Sequence, residues 1–258
     1  MKKIPTILIT NDDGVQAQGI RFLIEVMREF GNIVVVAPDS PQSGMGHAIT
    51  VHTPLRLRRL VNEENYQEYS CNGTPVDCVK LAEQVVLKGK PDLLVSGINH
   101  GSNASINIVY SGTMAAVIEG CIDHIPSIGF SMNDFSHHLN FEPARAIIQH
   151  IVKQVLENGL KEGICLNVNF PVIEEIKGIK VTRQADATWE EEFDSRTDPR
   201  GGSYHWLTGK FVSRDNGNEN DINAIAKGFA SVVPVKIDLT AYDQIESLKY
   251  LEQSIDNQ

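Results

Sequence analysis

A chain of 258 residues and 28.5 kDa, 41% hydrophobic and 22% charged, has room for one large α/β domain with a substantial core, and this composition excludes disordered and fibrous classes. A formal net charge of −10 and a pI near 5.3 exclude a general nucleic-acid or anionic-membrane binder, because either needs a basic face, which the short cluster Arg56, Arg58, Arg59 does not provide. Cys71, Cys78, Cys121 and Cys165 form no CxxC pair and read as reduced core thiols. Lys2-Lys3 and the apolar run after it begin like a signal peptide, but two aspartates interrupt the run, and no segment approaches membrane-spanning length. A cytoplasmic location is therefore expected, and an anionic substrate would need a metal or backbone amides to supply positive potential.

The first element, Thr6-Ile7-Leu8-Ile9-Thr10, is rich in β-branched residues and reads as a buried strand of a parallel sheet. It stops on Asn11-Asp12-Asp13-Gly14, so Asp12 and Asp13 lie at the C-terminal edge where open α/β sheets bind ligands. Neighbouring carboxylates repel unless a cation or hydrogen bonds hold them, and a hard divalent metal is the simplest such cation. The same residues also read as an ordinary turn with a helix cap, and both readings stand at this point.

Residues 19–30 place Ile20, Leu23, Ile24, Met27 and Phe30 at helical spacing before Gly31, and 33–36 is a second apolar run. This is a strand–helix–strand unit, Rossmann-like in order but without a GxGxxG fingerprint. The polar loop 37–48 then leaves the second strand beside the aspartates. Its Ser43-Gly44 could offer a hydroxyl and an open amide to a metal-bound phosphate, although alone it reads as a plain surface loop.

Residues 51–60 and 66–71 read as an antiparallel hairpin around a charged turn at 62–65. Thr74-Pro75-Val76-Asp77 is a helix start with Thr74 as N-cap, and the helix runs to about Lys88; Asp77 would oppose an anion there, so capping is the better reading. After the strand Leu93-Leu94-Val95 comes a third rim loop, 96–103, in which Asn99 could complete a hard-metal shell without adding charge. Tyr110-Ser111-Gly112-Thr113 enters an apolar helix at 114–122, where amides, hydroxyls and the helix dipole make a phosphate cradle. His47, His52 and His100 lack ligand spacing and are assigned to no metal; His137-His138 reads as loop.

A strand at 126–131, an amphipathic helix at 143–160 and a strand at 164–170 complete the α/β alternation. Residues 180–213 carry Trp189, Phe193, Tyr204, Trp206 and Phe211 among turn residues and read as a β-hairpin extension or an oligomer contact. A short helix at 221–228, a returning strand at 230–239 and a terminal helix to about Gln253 follow.

Together Ile9 through Gly14, Ala37-Pro38 through Ser43-Gly44, Gly73-Thr74-Pro75, Ser96-Gly97-Ile98-Asn99 and Tyr110 through Thr113 resemble the SurE family of survival-protein nucleotidases. Leu166-Asn167-Val168-Asn169-Phe170-Pro171 and Asp238-Leu239-Thr240 extend the resemblance over essentially the whole chain. It implies a single α/β domain: a Rossmann-like three-layer core with a mainly parallel sheet (about 1–172 and 220–240) and a protruding β arm at about 180–215, used in homodimer or homotetramer contacts. It implies one divalent cation per subunit, Mg²⁺ or Mn²⁺, held by Asp12, Asp13, Ser43 and Asn99, with Asp12 and Asp13 catalytic. Substrate contacts would fall on Asn11, Gly44, Asn103, Ser111, Gly112 and Thr113.

The implied activity is hydrolysis of nucleoside 5′- and 3′-monophosphates by a metal-activated water, with polyphosphate cleavage in some members and Asp12 open as general base or aspartyl nucleophile. The chain departs from the family at Ser105, Ile106 and Asn107, where a glycine and acidic residues are usual, and at Met114-Ala115, which replaces Val-Gly. Two other classes fit the same residues: a non-catalytic nucleotide-binding module signalling through its arm, and a nucleotide-sugar transferase. Phosphate release without an acceptor separates the hydrolase from both.

Overall fold

The structure, a computed structural model, describes residues 4–134, 136 and 139–252. In chain order, β1 (Thr6–Thr10), α1 (Gln18–Met27), β2 (Asn32–Pro38), β3 (Leu57–Glu63), β4 (Tyr66–Cys71), α2 (Pro75–Leu81), β5 (Leu93–His100), α3 (Gly112–Ile122), β6 (Ser127–Met132), α4 (Arg145–Asn158) and β7 (Ile164–Phe170) build the body. After β8 (Ile179–Val181), the strands β9 (Ala187–Glu190), β10 (Phe193–Thr197), β11 (Ser203–Leu207) and β12 (Lys210–Ser213) leave the sheet. Then α5 (Asp221–Ala226) and β13 (Ala230–Lys236) return to it.

Nine strands form one sheet in the order β3-β4-β2-β1-β5-β6-β7-β13-β8. β3 pairs antiparallel with β4 and β13 antiparallel with β7, while the other pairs are parallel. The apolar runs dictate this, because strands buried on both faces carry no polar alternation. Ile7 and Ile9 of β1 point into a cluster with Leu23 of α1 and Val152 of α4. Leu8 points the other way, into a cluster with Val79 of α2 and Val117 of α3. The result is the expected three layers. In α4, Ile148, Ile151, Val152 and Val155 are buried at helical spacing, each contributing on the order of 2 kcal/mol.

Several boundaries differ from the sequence reading. α1 ends at Met27, and Phe30 lies in the turn that follows. The hairpin strand expected at 51–60 is β3 at Leu57–Glu63, and pairing of Glu63 with Tyr66 tightens the charged turn to Glu64-Asn65. Upstream, Pro54 has no amide to give to a ladder. α2 does begin with a capping box, in which Asp77 N donates to Thr74 Oγ1 (3.2 Å) and Thr74 N to Asp77 Oδ2 (2.9 Å). After Leu81 the helix widens into a π turn, Ala82–Leu87.

The strand expected to end at Val95 continues as β5 to His100, with an irregularity in its pairing to β6 between Ser96 and Asn99. Gly97 makes this possible: its φ is 126°, and a Cβ there would lie 2.3 Å from the Phe130 carbonyl oxygen. Among the described residues the C-terminal segment forms two 3₁₀ turns, Tyr242–Gln244 and Glu246–Glu252, and no α-helix; Gln253, like His137 and His138, lies outside the described residues.

Buried Glu83 on the π turn has a carboxyl pushed up to about 7, by burial first and by the charge of Asp123 second. Folding thus favours its neutral form, so stability is intact below the ordinary glutamate range and falls as pH rises through about 7. Glu83→Gln is expected to be about 1–2 kcal/mol more stable than the parent at pH 8 and equal to it near pH 4.5, read from urea unfolding at both pH values.

Candidate functional site

The C-terminal ends of β1 and β5, the loop after β2 and the start of α3 converge on one cavity of about 510 Å³. Asp12, Ser43, Gly44, Asn99, Asn103 and Ser111 all line it. Of the remaining expected residues, Asn11 and Thr113 are buried beside Asp12, Gly112 touches it, and Asp13 is reached through His100.

Asp12 is 4% exposed. Its carboxylate accepts from the Thr113 hydroxyl and the Gly112 amide, and its carbonyl accepts from Gln42 N at 2.7 Å, tying the Ser43 loop to β1. Burial, and then the charge of Asp13, push the Asp12 carboxyl up to about 6 against the pull of those hydrogen bonds. Asp13 Oδ2 accepts from His100 N at 3.2 Å and lies 3.2 Å from His100 Nδ1, and that contact holds the imidazole pKa above its usual value. Gly112 must be glycine, since a Cβ there would sit 2.7 Å from Asp12 Cβ.

The phosphate-cradle expectation at 111–113 meets a different use of the hydroxyls. Ser111 Oγ accepts from Met114 N (3.0 Å) as the α3 N-cap, and the Thr113 hydroxyl donates to Asp12. Asn103 is fixed in a buried amide network. Its Nδ2 donates to Ser131 Oγ (2.7 Å), its N to Asn169 Oδ1 (2.8 Å), and its carbonyl accepts from Asn167 Nδ2 (2.8 Å). Asn99 Nδ2 donates to the Gly101 carbonyl (2.9 Å), which leaves Oδ1 as its available acceptor.

The donor chemistry at this rim is all oxygen: two carboxylates, an amide carbonyl and a hydroxyl, the set a hard divalent cation takes. Among the described residues no cluster of three or more His, Cys, Asp or Glu groups could hold a metal, so neutral oxygens have to complete any shell here. Thr10 Oγ1 and Asn11 Oδ1 at the end of β1 and Ser96 Oγ within β5 are buried with no hydrogen-bond partner, but none of the three lines the cavity, so the fit to a cation rests on the oxygens at the rim. No lysine or arginine is among the described residues lining the cavity.

Sequence reasoning did not anticipate that the hairpin of β9 to β12 closes the cavity through Trp189, Glu192, Leu207 and Thr208. Aromatic spacing signalled a hairpin but not where it packs. It also missed that His47 Nε2, 2.9 Å from Glu119 Oε2, anchors the Ser43 loop to α3, where Lys80 also pairs with Glu119. Asn167 and Asn169, alternating within an apolar strand, were the available signal for the amide network. The departures at Ser105 and Asn107 acquire a structural use: Ser105 Oγ donates to the Ala185 carbonyl (2.8 Å) and Asn107 Oδ1 accepts from Trp189 Nε1 (2.9 Å).

Among known proteins, the survival protein SurE family profile matches residues 7–191. The chain is 59% identical to a protein of Christiangramia forsetii named 5′-nucleotidase SurE, over 96% of each chain. It is 55% identical to a protein of the same name from Flavobacterium psychrophilum, over 95% of this chain and 96% of the other. The solved structure of the SurE protein from Aquifex aeolicus is 41% identical and superposes with a TM-score of 0.84, covering 96% of this chain and 100% of that one.

Proposed function

The chain belongs to the survival protein SurE family and is a nucleotidase, and from that premise we propose that it hydrolyses nucleoside 5′-monophosphates, and 3′-monophosphates with them, to nucleoside and phosphate in the cytoplasm. Cleavage of terminal phosphates from polyphosphate belongs to the same proposal, as does one divalent cation, Mg²⁺ or Mn²⁺, per subunit. The observation that carries this reading is electrostatic. The cavity holds Asp12 and Glu192, Asp13 stands behind His100, and no lysine or arginine lines it among the described residues, so a phosphate dianion enters only with a cation.

Asp12, Asp13, Ser43 Oγ and Asn99 Oδ1 would hold that cation. When bound it would offset charge on the phosphoryl oxygens and lower the pKa of a water in the site. The chain's own groups supply the positioning. Thr113 and Gly112 fix the Asp12 carboxylate at the rim, where it can act as the base. Asp12 takes a proton from the attacking water, a phosphorus–oxygen bond forms to that water as the ester bond breaks, and the proton held on Asp12 passes to the ribose oxygen, which leaves as the alcohol. The Gly44 amide and the Asn11 and Asn103 side chains line or support the phosphate region. The hairpin carries exposed Phe193, Trp206 and Leu207, and we assign to it, as the arm at about 180–215, the contacts of a homodimer or homotetramer.

The test is inorganic phosphate release from 5′- and 3′-monophosphates and polyphosphate by EDTA-stripped protein, alone and with Mg²⁺ or Mn²⁺. Metal-restored release from monophosphates is expected; absence of release with any metal, alongside retained nucleotide binding, would replace this reading with the binding module.

A further inference from the structure

The cavity is chemically two-ended. At the β1 and β5 end it is polar and built for a metal-bound phosphate. At the hairpin end it is walled by Trp189 and Leu207, with Glu192 and Thr208 beside them. Trp189 is held rigidly: its Nε1 donates to Asn107 Oδ1 (2.9 Å), its ring meets Phe211 edge-on at 5.5 Å, and Asn107 Nδ2 is itself fixed on the Ser102 carbonyl (3.2 Å). With its one N–H committed to Asn107, the indole has only apolar surface to offer the cavity. Glu192 is exposed and can only accept hydrogen bonds when ionised. A second phosphate would be repelled by this wall, and a bare sugar would leave the indole unused. A flat ring with an N–H edge matches both groups.

We infer that the hairpin wall is a nucleobase subsite selective for purines, with Trp189 as the stacking face and Glu192 as acceptor for the N–H edge of the base; this rests on the nucleotidase reading above. Guanine presents adjacent N1–H and N2–H₂ donors to a carboxylate and adenine one amino group, so guanosine monophosphate is the preferred substrate. Base–aromatic stacking predicts the size of the effect, about tenfold or more in binding. The departure at Asn107 then has a role, since the usual acidic residue would place another charge against the stacking wall.

The experiment uses the full chain with Trp189→Ala, Trp189→Phe and Glu192→Gln, and two readouts. In the first, kcat and KM are measured for GMP, AMP, UMP and glycerol phosphate. The GMP to glycerol phosphate ratio of kcat/KM should fall about tenfold in Trp189→Ala, through KM rather than kcat, and be largely restored in Trp189→Phe. Glu192→Gln, a change at an exposed side chain that leaves folding intact, should lower the GMP to AMP ratio several-fold. In the second, equilibrium binding of guanosine, which carries no phosphate and so needs no cation, is measured in EDTA, where turnover plays no part. Normal turnover with the same substrate ratios in all three variants would overturn the subsite while leaving the nucleotidase reading in place. No turnover by the parent, with guanosine binding still weakened about tenfold by Trp189→Ala, would do the reverse. An equal loss of kcat on every substrate in Trp189→Ala would reduce Trp189 to a structural residue and overturn the proposal.

Discussion

Asp12→Asn is expected to lower kcat/KM for nucleoside monophosphates by about a thousandfold or more while making the metal-free protein more stable at pH 8. Asparagine keeps the shape and can still accept from Thr113 and Gly112, but it removes the charge that would bind the cation and the base that would take the proton. The stability sign follows from the raised pKa. Folding disfavours the ionised Asp12, so the protein loses stability as pH rises through about 6, and an uncharged side chain escapes that loss, worth about 2 kcal/mol. Asp13→Asn should be comparably inactive and should also bring the Asp12 pKa down, because the charge beside it is gone. Steady-state kinetics with added metal and urea unfolding in EDTA check both halves. Activity within tenfold of the parent in both variants would remove these carboxylates from the chemistry.

The second large effect is expected at Gly112. Alanine is the better helix former by about 1 kcal/mol, so α3 itself gains from Gly112→Ala. The added Cβ would meet Asp12 Cβ at 2.7 Å and Oδ2 at 3.0 Å, and the Asp12 backbone has no slack, being bonded to the loop after β2. The carboxylate must move, and a displacement near 1 Å costs on the order of a hundredfold in rate. Gly89→Ala is the control, because a Cβ there meets nothing within 4 Å. A hundredfold loss at Gly112 beside an unchanged Gly89 variant would place the defect in the position of Asp12; equal behaviour would deny that the close approach matters.

The rim of this site was legible because strands buried on both faces are written as unbroken apolar runs, and the residues that end them fall on the edge where open α/β sheets bind ligands. That rule puts Asp12 and Asp13 after Ile7-Leu8-Ile9, and Ser43 after β2, at the rim, but the same residues also read as a turn and a surface loop, and only the family resemblance named them as ligands. Asn99 was found for a partly mistaken reason: Ser96, Gly97 and Asn99 look like turn residues, yet β5 carries them to His100, where the polar groups serve the sheet edge. Ser111 and Thr113 were read as ligand hydroxyls, and both also serve locally: Ser111 Oγ accepts as the helix cap with its own hydrogen left to donate, and Thr113 donates to the buried Asp12 carboxylate. The Trp189 wall was out of reach, because its place depends on how β9 to β12 pack against residues 80 positions earlier in the chain.

β1 has a consequence for how the protein fails on heating. Ile7, Leu8 and Ile9 have no exposed surface and are paired on both sides, so their amides can exchange with solvent only when the whole sheet opens. Asp12 lies three residues beyond Ile9. The candidate site is therefore anchored to the slowest-exchanging part of the molecule rather than to a loop that melts early, and thermal inactivation and loss of the fold should be a single event at one temperature.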